Sequence, residues 1–468
     1  MTDTTGPADP TGPTEPADPT GPTAPTGRDA VAAVWRIESA RIVGALARYT
    51  GDFALAEDLA QEALAEALVA WPRDGVPRHP AGWLLTVGRR RAIDTFRRRA
   101  ALGERYAALA HGLGEGGIVT GAPPGSAAPD GYRNDREDRS GGDVLWDPDQ
   151  IDDDVLALMF VSCHPVLSRE ARVALTLRVV GGLTSDEIAN AFLVPTATVQ
   201  ARITRAKKTL AAARVPFAVP PPEERAERLG SVLSVLYLIF TEGSSASSGS
   251  RLIRFDLAGE AQRLARVLSR LTPDEPEVNG LLALLELTAA RFPARTGPDG
   301  EPVLLEHQNR RRWDRAAIRR GRAALARAER SGRGLGAYGL QAAIAECHAV
   351  APSVAATDWE RIVLLYEALG RLAPSPVVDL NRAVALSMAR GPAPALTIVD
   401  GLVASGALAR SHLLPTVRGE LLIRLGRTGE ARAELERAVE LCGNERERTV
   451  LERRLAALDR PARDPKET

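Results

Sequence analysis

Aromatic residues make up only 4% of the chain, cysteine occurs three times and histidine six times. So few aromatics, beside 44% hydrophobic residues dominated by Ala, Leu and Val, disfavour a β-sandwich and point to an all-α fold of Ala-rich helices. Cys163, Cys347 and Cys442 stand far apart. Their spacing excludes a disulfide scaffold and any Cys-x-x-Cys metal or redox motif, and fits a reducing compartment. Net charge is also absent: 60 basic residues balance 60 acidic ones, so a nucleic-acid footprint has to be local. No run reaches the roughly 18 apolar residues that span a bilayer; the longest, Val232 to Phe240, is interrupted by Ser234. The N-terminus carries Asp and Glu rather than Lys and Arg before any apolar block, unlike a secretory signal. A cytoplasmic protein with no membrane partner, no cofactor and no metal is expected.

At 468 residues, and roughly 150 per domain, about three domains are expected. Residues 1–28 are mostly Thr, Pro, Gly, Ala and acids, and read as a disordered tail. Residues 29–101 carry helical periodicity. Leu55, Leu59, Ala63, Leu64 and Trp71 form one stripe, with Glu57, Asp58, Gln61, Glu62 and Glu66 opposite it. Residues 102–150 are Gly-rich and lose the pattern, which reads as a flexible linker between domains. Helical patterning returns over 151–215 and, after "RVPFAVPPPEE", over 216–330 and 331–460. In the last part Ala395 aligns with Ala431 at an offset near 36 residues, which suggests tetratricopeptide-like helix pairs.

Two basic segments carry the functional signal. In "LTSDEIANAFLVPTATVQARITRAKKTL", Thr184 and Glu187 form a capping box that starts a short helix ending at Leu193 and Val194. Pro195 opens a second helix that buries Val199, Ile203 and Ala206. Its other face shows Thr198, Gln200, Arg202, Arg205, Lys207 and Lys208, with no acid between Glu187 and Glu223. Two helices about a tight turn, the second cationic on one face, make a helix-turn-helix suited to the major groove of B-DNA. The other segment holds Arg89, Arg90, Arg91, Arg97, Arg98 and Arg99 against a single acid, Asp94, with Trp83 before them and Phe96 among them. Guanidinium groups beside rings suit a partly unstacked DNA strand; a basic helix end beside an acidic helix would look the same.

These segments resemble bacterial RNA polymerase sigma factors of the extracytoplasmic-function (ECF) type. Region 2 is matched by "DFALAEDLAQEALAEALVAW" and "HPAGWLLTVGRRRAIDTFRRR", and region 4 by the segment running from "REARVALTLRVV" through the helix-turn-helix. The stretches "YLIFTEGSSASSG" and "LLEHQNRRRWDRAAI" resemble a subgroup with a long C-terminal extension. The resemblance implies a promoter-specific initiation factor rather than an enzyme, with core RNA polymerase and promoter DNA as partners. It assigns Asp58, Gln61 and Glu62 to the β′ clamp helices, with the β subunit a further contact. The loop between Trp71 and Pro80, with the helix after it carrying Trp83, Arg89, Arg90, Arg91, Phe96, Arg97 and Arg98, would capture and open the −10 element. The second helix of the helix-turn-helix would read the −35 element. Many members have Asn within an "RNR" run; here Arg90 stands in "GRRRAID", so strand opening is implied without a −10 sequence. The extension would be a regulatory module or would dock a protein partner.

Other signals point elsewhere only weakly. Cys163-His164 and Cys347-His348 fall in different domains and read as inert buried thiols rather than a zinc site. "GSSASSGS", from Gly243 to Ser250, lacks the Gly-Lys-Ser/Thr of a phosphate loop and reads as a flexible connector. Arg310, Arg311, Arg312 and Trp313 read as a solvated helix start. Two alternatives remain open at this level: a polymerase-independent helix-turn-helix regulator, and an enzyme housed in the C-terminal half.

Overall fold

The computed structural model describes residues 27–114, 148–192, 194–244, 255–297, 301 and 303–458. Most of the N-terminal tail, of the 102–150 linker and of the 243–250 connector, together with Leu193, lies outside the described residues. Among those described, the regular elements are helices: α1 (Gly27–Thr50), α2 (Phe53–Asp74), α3 (Pro80–Gly114), α4 (Pro148–Ser162), α5 (Arg169–Val179), α6 (Ser185–Phe192) and α7 (Thr196–Ala212). They continue as α8 (Pro222–Ser244), α9 (Phe255–Leu271), α10 (Pro276–Ala289), α11 (Arg315–Arg330), α12 (Ala337–Val350) and α13 (Trp359–Leu372). The last are α14 (Pro376–Arg390), α15 (Pro392–Ala404), α16 (Leu413–Arg424), α17 (Thr428–Leu441) and α18 (Glu445–Leu458). None is long and apolar enough to cross a membrane. The fold is all-α.

Local chemistry sets many of the boundaries. Asp52 caps α2 by accepting from the Leu55 amide at 3.0 Å, and Gly75, at φ 86°, ends it. The capping box at α6 is reciprocal: the Glu187 amide donates to Thr184 Oγ1 at 3.1 Å, and the Thr184 amide to Glu187 Oε2 at 2.8 Å. Two boundaries differ from the sequence reading. Helix α3 continues to Gly114, because "RRRAALGERYAALA" contains no proline to stop it. Gly243 and Ser244 are not connector but the buried last turn of α8. A Cβ on Gly243 would meet the Ala258 backbone at 2.5 Å, so only glycine lets α9 approach that closely.

A single buried core runs through both N-terminal modules and into the extension. Ile42 and Leu46 of α1, Leu59 and Trp71 of α2, and Leu84 of α3 join Leu158 and Phe160 of α4. Leu175, Ile188 and Ile203 of α5–α7 continue it, as do Leu236 and Phe240 of α8, Leu264 of α9 and Leu281 of α10. Gly182, at φ 69°, passes so close to α1 that a Cβ would lie 2.6 Å from Ser39 Oγ. Beyond α12 the core breaks into smaller clusters between successive helices joined by short loops, an arrangement of antiparallel pairs. Ala395 of α15 and Ala431 of α17, the positions aligned by the sequence repeat, are both fully buried.

Candidate nucleic-acid interface

Helices α5, α6 and α7 form the helix-turn-helix unit. Val199, Ile203, Ala206 and Leu210 bury one face of α7. On the other, Gln200, Arg205 and Lys208 are exposed while Thr198 and Arg202 are half-buried. Thr196 Oγ1 donates to Asp186 Oδ1 at 2.7 Å and ties the start of α7 to α6.

Lys207 departs from the sequence reading. Its ammonium is not on the open face but donates to Glu57 Oε2 at 2.7 Å and Asp58 Oδ1 at 2.6 Å, both on α2. Arg178 of α5 adds a third charge, its Nε lying 3.4 Å from Glu57 Oε1. Burial pulls the Lys207 pKa down, but Glu57 and Asp58 outweigh it and hold it above the ordinary lysine value. Glu57 is buried, 4% exposed, whereas Asp58 beside it is 63% exposed at its side chain. The two modules also meet through Arg36–Glu187 and through Arg48 Nε donating to Asp154 Oδ2 at 3.0 Å. The carboxyl of Asp154 is nonetheless pushed up, because burial outweighs the Arg48 charge.

The Arg-rich helix divides in two. Arg90, Arg97 and Arg98 are exposed, as is Arg99. Arg91 is occupied: its Nη1 donates to Glu62 Oε2 at 2.9 Å and its Nη2 to Glu66 Oε2 at 2.7 Å. The Glu66 bond chiefly holds the Arg91 guanidinium above its ordinary pKa. Arg89 lies over the Tyr49 ring at 5.4 Å. The two aromatics are anchored by packing. Trp83 meets Trp71 edge-on at 5.7 Å, and both Trp83 and Phe96 pack against the core, half-buried. An indole and a phenyl ring gain more from apolar contact than from water.

Residues assigned to different partners thus meet one another. Asp58 and Glu62, two of the three residues assigned to polymerase, pair with Lys207 and Arg91, both assigned to DNA; Gln61 between them is half-buried. Glu57 and Arg178 were not singled out as site residues. The signal for Glu57 was available, since it falls four residues after Phe53 and three before Ala60, on the buried stripe of α2.

No catalytic grouping was expected, and the thiols show no activated character. The Cys163 thiol lies 3.2 Å from Thr176 Oγ1, and burial pushes its pKa up to about 11. His164 Nδ1 accepts from the Val166 amide at 3.1 Å. The one grouping of metal-ligating type among the described residues is His412, Cys442 and Glu447, whose donor atoms lie within 4.8 Å of one another. Burial pushes the Cys442 thiol up, and its Sγ donates to the Asn444 carbonyl at 3.5 Å.

Fold and site together define an all-helical DNA-binding protein in which a helix-turn-helix is clasped to a second basic helical module. Residues 36–101 match the family described as Sigma-70 region 2, and residues 157–210 match Sigma-70, region 4. Residues 228–329 match a family of unknown function (DUF6596), which ends before the helix pairs of the last part. An uncharacterised protein of Rhizobium meliloti (strain 1021) is 44% identical over 413 residues, covering 88% of this chain and 92% of that protein. No solved structure matches the chain. The chain belongs to the ECF-type sigma factors, the sigma-70 proteins of promoter-specific transcription initiation, and carries a long C-terminal extension.

Proposed function

We propose that this sigma factor binds core RNA polymerase through the acidic stripe of α2, above all Asp58, with Gln61 and Glu62 beside it on the β′ clamp helices. Helix α7 reads the −35 element with Thr198, Gln200, Arg202, Arg205 and Lys208. Helix α3 holds the −10 strand through the exposed Arg90, Arg97 and Arg98. In this reading the arrangement described is the polymerase-free state. One observation carries it: Lys207 grips Glu57 and Asp58 at 2.7 and 2.6 Å, occupying a carboxylate that the polymerase would use. Binding the polymerase then means exchanging Lys207 for a cationic partner on the clamp, which lets α7 swing to DNA and restores Lys207 to its cationic face.

Pull-down with core polymerase tests this. Asp58→Arg loses the complex, while Lys207→Ala, which frees Asp58, retains polymerase at least as well as the native chain. Equal retention by Asp58→Arg and the native chain would refute the reading. The extension acts as a regulatory or docking module built on tetratricopeptide-like helix pairs. Removing residues 374–468 alters promoter output in a reconstituted transcription assay without cutting into the shared core, whose buried members end at Ala343.

A further inference from the structure

The extension buries positive charge without matching negative charge. Arg291 and Arg295 flank the short 3-10 turn Phe292–Ala294, and Arg310 opens the turn Arg310–Arg312. All three are half-buried; Arg291 and Arg310 meet at Trp313, which is 3% exposed, while Arg295 lies over the Phe292 ring at 5.9 Å, close enough for its charge to act on Arg291. The guanidinium carbons of Arg291 and Arg310 lie over the Trp313 ring at 5.6 and 4.6 Å. This overturns the sequence reading of Arg310 and Trp313 as part of a solvated helix start.

The hydrogen bonds of these arginines go to neutral acceptors. Arg291 Nε donates to Gln308 Oε1 at 3.4 Å, and Arg295 Nη1 to the Ser244 carbonyl at 2.8 Å. Arg310 Nη1 donates to the carbonyls of His348 and Ala351 at 2.6 and 2.7 Å. Among the described residues no carboxylate forms an ion pair with any of the three; Glu447 gives Arg295 a favourable charge only at longer range. Three buried polar atoms of the same cluster have no hydrogen-bond partner: Arg310 Nη2, Trp313 Nε1 and His348 Nδ1. Elsewhere in this fold several half-buried arginines find carboxylates, as Arg178 finds Glu57 and Arg418 finds Asp400 and Glu434. Burial pushes Arg291 down to about 10, helped by Arg295 and Arg310. Burial, with Arg291 and Arg310, pushes His348 down to about 4. Partly desolvated like charges without a counter-ion are costly, and the bonds left unmade add to that cost.

We propose that Arg291, Arg295 and Arg310 form a binding site for a small phosphate-bearing anion, completed by Trp313 and His348. The charge count favours a phosphate dianion over a monocarboxylate, since the charges of Arg295 and Arg310 both act on Arg291 and a single carboxylate would leave most of that charge uncompensated. Planar guanidinium forks match the geometry of phosphate oxygens, and the unmet donors supply further bonds. Through the Arg295–Ser244 bond the site abuts the end of α8, the helix whose core residues support α4 and α5.

Isothermal titration of the full chain in a phosphate-free, low-salt buffer tests the proposal, with inorganic phosphate, glycerol 3-phosphate and acetate as probes. One saturable site is expected, taking phosphate or the monoester at least about tenfold more tightly than acetate. The relative affinity of the two phosphates tells a free-phosphate site from a phosphomonoester site. Arg291→Ala lowers affinity at least about tenfold, whereas Arg312→Ala, an exposed neighbour, leaves it unchanged. Should Arg291→Ala fail to fold, Arg310→Lys, which keeps the charge but loses the fork, takes its place with the same expectation. In a parallel NMR titration, bound phosphate raises the His348 midpoint above its unliganded value near 4. Absence of saturable binding, binding as tight in Arg291→Ala as in the native chain, or acetate binding as tight as phosphate would each overturn it.

Discussion

Two clusters in this molecule bury charge in opposite ways. At the contact between the sigma modules, two cations, Lys207 and Arg178, meet two carboxylates, Glu57 and Asp58. Around Trp313 and Phe292, three guanidiniums gather with no carboxylate in ion-pair contact among the described residues. The first cluster is complete in itself and holds two parts of one chain together. The second has no ion-pair partner among the described residues and suits a ligand that brings one. Compensation inside the chain makes a clasp; its absence makes a binding site.

The clasp breaks most severely at its buried member. Glu57→Ala leaves Lys207 and Arg178 with only the exposed Asp58 between them, which costs about 3 kcal/mol. Urea denaturation measures the loss, and a fluorescence pair placed on α1 and α7 reports separation of the modules. Unchanged stability and distance would mean that the shared apolar core alone holds them.

The second cluster is probed by pH. His348 takes up its proton near 4 in the folded chain, against an ordinary value of 6.5. Between those values the unfolded chain binds more protons, so stability is complete above pH 6.5 and falls as pH drops toward 4. The fall from this group is about 3 kcal/mol. His348→Gln flattens that part of the profile when both proteins are melted across the range, and parallel profiles would disprove the assignment.

The smallest effect sharpens the comparison from outside, at arginines that are neither clasped nor buried. Arg97→Ala or Arg98→Ala changes stability by less than about 0.5 kcal/mol, because both side chains are exposed. Each makes the salt dependence of promoter-DNA affinity shallower by about 0.9 in the log–log slope if it contacts a phosphate. Arg91→Ala, by contrast, disturbs the Glu62 and Glu66 contacts and carries a stability cost as well.

Much of the fold was legible because it rests on local rules. The Thr184–Glu187 capping box, the Pro195 turn and the buried Val199, Ile203 and Ala206 follow from spacings of three and four residues, and each stands in the structure as read. The exposed members of the basic faces, Gln200, Arg205 and Lys208 on α7 and Arg90, Arg97 and Arg98 on α3, follow from the same periodicity. Trp83 and Phe96 did not. A ring beside arginines reads equally as a stacking platform or as core, and only the packing of α3 sets both rings half-buried against the core. Glu57 and Asp58 are neighbours on one acidic stripe in the sequence, yet a helix turns about 100° between them, so one is buried and the other exposed.

The amino-acid sequence alone settled what each helix is and which of its faces are apolar or cationic, because caps, turns and periodicity act within a few residues. Which charges meet was decided only by the packing. Lys207 and Asp58 are separated by 149 positions, and Arg310 donates to carbonyls 38 and 41 positions away. Electrostatic energy depends on separation through space and on the water excluded there, and neither quantity exists until the helices have packed.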